Sequence, residues 1–187
     1  MAPKVKVTRE KIIETALSLV KSEGEGSLNA RSVANALNCS TQPLFSNFQN
    51  VLELKTEVIE LAYKTYLEFI ENEINSQKYP QYKSMGMAYI RFAKDEPNLF
   101  KMLFMCDRTD EEFSHTEDFE KAVELIMSAN GISKEKATLF HLELWAFVHG
   151  IASMIATSYL NFDWELISNM LSDVYQGLRG RALNDCN

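Results

Sequence analysis

Apolar residues recur every three or four positions almost from end to end of the chain, and no stretch alternates apolar and polar residues as a half-buried strand would. The pattern predicts an all-α chain. A first helix over 8–23, capped by Thr8, carries Ile12, Ile13, Ala16, Leu17 and Val20 on one stripe and is broken by Gly24 and Gly26. A short second helix begins after Asn29 and turns Val33, Ala34 and Leu37 inward. Asn38 then stands where a left-handed residue is wanted to end it. A third helix is expected to be capped by Ser40, to hold Pro43 in its first turn and to anchor through Leu44, Phe45 and Phe48. Asn50 with Glu53 makes a near relative of the capping box and opens a long fourth helix to about residue 75. Further helices are expected over 81–95, 97–105, 117–130, 133–160 and 163–179, with a polar, acidic loop at 107–116.

Residues 29–54 therefore read as two short helices, a tight turn and the entry into a third, which is the layout of a helix-turn-helix. The third helix is too short to be stable alone and needs helices behind it. Its expected exposed set, Thr41, Gln42, Ser46, Asn47 and Gln49, is neutral and rich in donors and acceptors suited to base edges.

Composition limits the rest. At 187 residues and 46% apolar content the chain can hold a small and a larger domain, and the expected division is 1–52 and 53–187. No run of 18 apolar residues occurs, so no membrane span is expected, and the N-terminus lacks an apolar signal core. Cys39, Cys106 and Cys186 are odd in number and far apart, which favours a reducing, cytoplasmic setting over a disulfide framework. The net charge is −7. Residues 1–55 hold seven basic and five acidic residues, a balance of +2, which leaves −9 for the remainder. Only the N-terminal end is electrically suited to face phosphate.

The run Ser40, Leu44, Phe45, Phe48 (S-x-x-x-L-[YF]-x-x-F), set behind a capped helix and a small-apolar one, resembles the DNA-binding segment of the TetR/AcrR family of transcriptional regulators. Trp145, His149 and Gly150 in LWAFVHGIASMIA resemble the W-x-x-x-H-G signature of one class of C-terminal domains in that family. The resemblance implies a TetR-like fold: an N-terminal three-helix DNA-binding unit on a helical body that dimerises and binds an effector. It implies a ligand-responsive regulator, expected to be a repressor, that binds a palindromic double-stranded operator as a homodimer. Two positions depart from the pattern. Phe45 stands where the family often has a tyrosine whose hydroxyl meets a phosphate, and Val51 where it usually has a lysine. No charged residue occurs from Ser32 to Leu52. The other reading is a protein-binding adaptor that keeps the fold and has little DNA affinity.

By resemblance and expected exposure, Arg31, Thr41, Gln42, Pro43 and Asn47 are the candidates for base contacts. Lys6, Arg9, Asn29, Ser40, Asn50 and Lys55 are the candidates for backbone contacts, with capping as the plain role of Ser40 and Asn50. Candidates for an effector pocket are Tyr89, Phe92, Phe104, Met105, Phe140, Trp145, His149 and Met154, although core packing is the simpler role for any one of them. For His149 a structural hydrogen bond is expected before a ligand contact. The resemblance places the dimer seam in the last two helices, with Trp164, Leu166, Met170 and Val174 as interface candidates. His141 and His149 lie eight apart and do not make an H-E-x-x-H site; no nucleotide-binding or nucleophile motif occurs. No metal, cofactor or enzymatic activity is expected, and the effector is an unknown small molecule.

Overall fold

A computed structural model describes residues 7–106 and 116–184; Lys6 and Cys186 lie outside the described residues. Among the described residues the regular elements are all helical. They are α1 (Arg9–Glu23), α2 (Ala30–Ala36), α3 (Gln42–Asn47), α4 (Val51–Asn75), α5 (Gln81–Asp95), α6 (Pro97–Phe104), α7 (Thr116–Asn130), α8 (Lys134–Ala156) and α9 (Trp164–Asn184), with a 3-10 turn at Glu25–Ser27.

The chain divides into two compact units. The first holds the described residues up to Leu67 together with Glu96–Cys106; the second holds Glu68–Asp95 and the described residues that follow Cys106. In the first unit, Ile12, Ala16 and Val20 of α1 are buried with Val33, Ala34, Leu44, Phe48, Leu54 and Val58. The helix Pro97–Phe104 packs on α1, a placement that spacing alone does not reveal. Asn98 donates to the Lys21 carbonyl at 2.9 Å, and Lys21 pairs with Glu96 at 2.8 Å. In the second unit α8 is central, packed by α5, α7 and α9, with Phe140, Leu144, Val148, Ile151 and Ile155 buried. By length and mean hydropathy α8 is apolar enough to cross a membrane, although its apolar residues form no unbroken run. Gly86 of α5 lets this packing close up, because a Cβ there would stand 3.1 Å from Leu171 and 3.6 Å from Val148.

Caps set most helix ends where expected. The Thr8 side chain accepts from the Lys11 amide, Asn29 from Ser32, and Ser133 from Lys136. Asn50 accepts from the Glu53 amide at 2.9 Å, while the Glu53 carboxylate reaches back to the Gln49 amide at 2.7 Å. Asn38 takes the left-handed conformation at φ 51° that ends α2.

Four expectations change. Ser40 does not cap α3: Thr41 is the cap residue, with helical backbone and no side-chain hydrogen bond, and Pro43 leaves one fewer amide to satisfy. Phe45 is not an anchor, because it points away from Leu44 and Phe48 and is 52% exposed. Helix α8 ends at Ala156 and not near Leu160: Ser158 turns left-handed at φ 57°, and the Tyr159 and Leu160 amides both close on the Met154 carbonyl. Helix α9 runs past Arg179 to Asn184, because Lys136 donates to the Ala182 carbonyl at 3.1 Å and Arg181 pairs with Glu143.

Candidate nucleic-acid interface and regulatory body

The turn between α2 and α3 is built locally. The left-handed Asn38 reverses the chain, and the Cys39 amide closes on the Ala34 carbonyl at 3.0 Å. Leu44 and Phe48 then seat α3 on the core, each 2% exposed. Burying two large side chains supplies what a six-residue helix lacks on its own. The face left to solvent holds Ser40, Thr41, Gln42, Phe45, Ser46 and Gln49. Pro43 and Asn47 are half-buried. Asn47 is less available than expected, since its amide nitrogen donates to the Pro43 carbonyl at 2.7 Å. The Ser46 hydroxyl likewise donates to the Gln42 carbonyl at 2.9 Å. Thr41 and Gln42 remain as exposed polar residues at the start of α3, and Arg31 is exposed on α2 with no ion pair among the described residues.

The other cations are engaged. Arg9 donates to the Asn47 carbonyl at 2.5 Å, to Glu53 at 2.9 Å and to Glu57 at 2.6 Å, and its guanidinium lies 4.2 Å from the centre of the Phe48 ring. The hydrogen bonds to Glu57 and Glu53 raise its pKa further above the ordinary value. The Gln49 amide, then Arg9, holds the Glu53 carboxyl below its usual range. One side chain of α1 thus grips the last turn of α3 and the first turns of α4. Lys55 pairs with Glu25 at 3.0 Å, and the Cys106 thiol donates to the other oxygen of that carboxylate. Asn29 and Asn50 are caps.

Of the five candidates for backbone contact among the described residues, Arg9 and Lys55 therefore face carboxylates, Asn29 and Asn50 cap helices, and Ser40 is exposed. Replacing Arg9 with Met is expected to lower the melting temperature and to weaken DNA binding on all sequences alike, because α3 loses its tether. If Arg9 instead neutralises a phosphate, the melting temperature will hold and the salt slope of binding will fall by about one. Thermal melts and binding at two salt concentrations separate these outcomes.

The effector-pocket candidates are distributed over both units. Phe104 and Met105 lie in the first unit, where the Phe104 ring meets Tyr66 edge-on at 5.2 Å and Met105 is exposed after the end of α6. In the second unit Phe92 is fully buried against Phe69 at 5.3 Å, and Phe140 against Tyr175 at 5.1 Å. Met154 is half-buried. Tyr89, His149 and Trp145 are connected: the Tyr89 hydroxyl lies 2.9 Å from Nδ1 of His149, and the imidazole stacks on Trp145 at 5.3 Å. His149 thus has the structural hydrogen bond expected for it.

A second pair went unrecognised. The Tyr82 hydroxyl lies 2.8 Å from Nδ1 of His141, whose ring meets Phe119 at 4.8 Å. The two tyrosines are seven apart on α5 and the two histidines eight apart on α8, so both pairs fall in one helix–helix joint. That spacing is a usable signal only once α5 and α8 are known to be neighbours. Burial lowers the pKa of both histidines and raises that of Tyr82.

Of the interface candidates, Leu166 is exposed and Met170 and Val174 are half-buried. Trp164 is also half-buried, with Arg91 and Lys94 at 4.8 and 5.0 Å from its ring. Leu139, Leu142 and Leu183 on α8 and α9, which spacing assigns to neither a core nor an interface, are exposed, as is the pocket candidate Trp145. Among the described residues no group of three or more His, Cys, Asp or Glu is placed to hold a metal ion.

Two comparisons bear on this arrangement. Residues 82–171 match the family described as "Tetracyclin repressor-like, C-terminal domain". The whole chain is 18% identical, over 191 residues and 99% of the relative's length, to a Bacillus subtilis (strain 168) protein described as "Uncharacterized HTH-type transcriptional regulator YobS". The first likeness covers most of the second unit, and the second spans both units.

Proposed function

We propose that the chain is a transcriptional regulator that binds a palindromic operator as a homodimer, acting as a repressor that a small-molecule effector releases. The observation that carries this reading is the helix-turn-helix itself. Helix α3 is seated by Leu44 and Phe48, is turned into place by Asn38, and presents Thr41 and Gln42 to solvent. Residues 1–52 are proposed to read DNA and 53–187 to dimerise and sense. The exposed Leu139, Leu142, Trp145 and Leu166 support a seam on α8 and α9, since a helix of this apolarity is poorly matched to water. Two copies would place two recognition helices about one turn of DNA apart, and an effector that shifts α4 would break that spacing. The Tyr89, His149 and Trp145 chain is the proposed polar end of the effector site, located in a reducing cytoplasm.

A protein-binding adaptor is the second reading, and the internal pairing of Arg9 and Lys55 favours it, because phosphate contacts dominate DNA affinity. Selection of bound duplexes from a random-sequence pool, followed by footprinting at low and moderate salt, decides between them. A regulator is expected to enrich a palindrome and protect it. Gln42→Ala is then expected to relax preference at one position per half-site, by a discrimination of about 1–3 kcal/mol. No enriched sequence at either salt leaves the adaptor.

A further inference from the structure

Phe45 occupies the middle of the solvent face of α3. It follows Thr41 by four residues and Gln42 by three, so these side chains share one side of the helix. Single exposed apolar residues are ordinary and need no explanation. This one differs in its setting. The same short helix buries its other aromatic ring, Phe48, almost completely, while Phe45 is held 52% exposed by a backbone pinned through Leu44, Phe48 and the Arg9 clasp. Around it the polar groups partly satisfy one another: Asn47 and Ser46 donate to their own helix. The segment from Ser32 to Leu52 carries no carboxylate to repel phosphate and no cation to grip it. A face of this kind gains little from charge and has one large apolar group at its centre.

We propose that Phe45 is a specificity-determining residue that reads the C5-methyl group of thymine in the major groove. The inference rests on the DNA-binding reading above. Thymine is the base that offers an apolar group on its major-groove edge, and a phenyl ring with no hydroxyl has nothing to exchange with a phosphate or a base edge except that contact. Phe45 thus adds an apolar reader beside the polar Thr41 and Gln42, and the binding it supplies is insensitive to salt, unlike phosphate contacts.

The test uses the full chain and duplexes enriched from a random pool, resynthesised with deoxyuridine in place of thymidine one position at a time. Uracil keeps every hydrogen-bonding group and lacks the methyl. The expected result is a loss of about fourfold at one position per half-site, the size of one buried methyl. That loss should vanish in both Phe45→Ala and Phe45→Ser, whose folding is checked by thermal melts. Equal binding of thymine and uracil duplexes by the unsubstituted chain overturns the proposal and leaves the regulator reading standing. A uracil penalty that survives in both variants also overturns it and moves the methyl contact to another residue, such as Pro43. Failure to enrich any duplex removes both readings together.

Discussion

Truncating Phe92 to alanine should remove about 3–5 kcal/mol of stability. Phe92 is fully buried and meets Phe69 edge-on at 5.3 Å, with an interplanar angle of 76°. It sits on the same helix as Ala88, Ile90 and Ala93, which are also fully buried, so little can move in to fill the space. The loss combines the transfer of a large ring with the cavity left behind, and it is a sizeable part of the roughly 5–15 kcal/mol that holds a typical domain together. The aromatic and methionine pattern along the chain also suits a ligand pocket. A pocket wall has no packed neighbours on one side, and its truncation would cost far less. Denaturant midpoints for Phe92→Ala and Phe92→Leu tell the two apart. A drop of under about 1 kcal/mol for the alanine variant would return Phe92 to the pocket.

Acid should weaken the second unit as pH falls from the ordinary imidazole pKa of 6.5 through the lower folded values. Burial lowers the pKa of His141 and His149, so the folded chain binds fewer protons there than the unfolded chain does. Stability therefore rises with pH across that interval, is fully present above 6.5, and is lost as pH falls through the folded values. Protonation also makes both ring nitrogens donors, so each tyrosine hydroxyl must then accept from its histidine. Tyr89 and Trp145 are among the groups around His149, and Tyr82 and Phe119 among those around His141. Melting temperatures at pH 7.5 and 5.5 should differ in the unsubstituted chain. The gap should narrow in a His141→Asn, His149→Asn double variant, which keeps an acceptor for each hydroxyl and cannot titrate. An unchanged gap in that variant would assign the acid sensitivity to other groups.

The all-helical architecture, the capped entry to α1, the left-handed Asn38 and the box at Asn50 were legible because each depends on residues within four positions of one another. The end of α8 was read too late and the end of α9 too early. Apolar residues such as Leu160 continue the helical pattern past a turn, and the groups that extend α9, Lys136 and Glu143, come from another helix. The candidate interface shows the same split. Thr41 and Gln42 were placed on the exposed face by spacing alone, and the structure puts them there. Phe45 was assigned inward because it is apolar. A six-residue helix has room to bury only part of its circumference, and Leu44 and Phe48 take that part.

What the sequence determined by itself was the series of helices, their caps and turns, and the neutral chemistry of the 32–52 segment, since these follow from near neighbours and from composition. Only the tertiary structure decided what each long side chain does. Arg9, a candidate for phosphate contact by sequence, clasps α3 to α4. Lys55 meets Glu25, the helix Pro97–Phe104 joins the N-terminal unit, and two tyrosines find two histidines across the α5–α8 joint. The physical reason is reach. A guanidinium, an ammonium or an imidazole chooses its partner by what packing brings within about 3 Å, the span of a hydrogen bond, and for Arg9 those partners lie 38 to 48 residues along the chain.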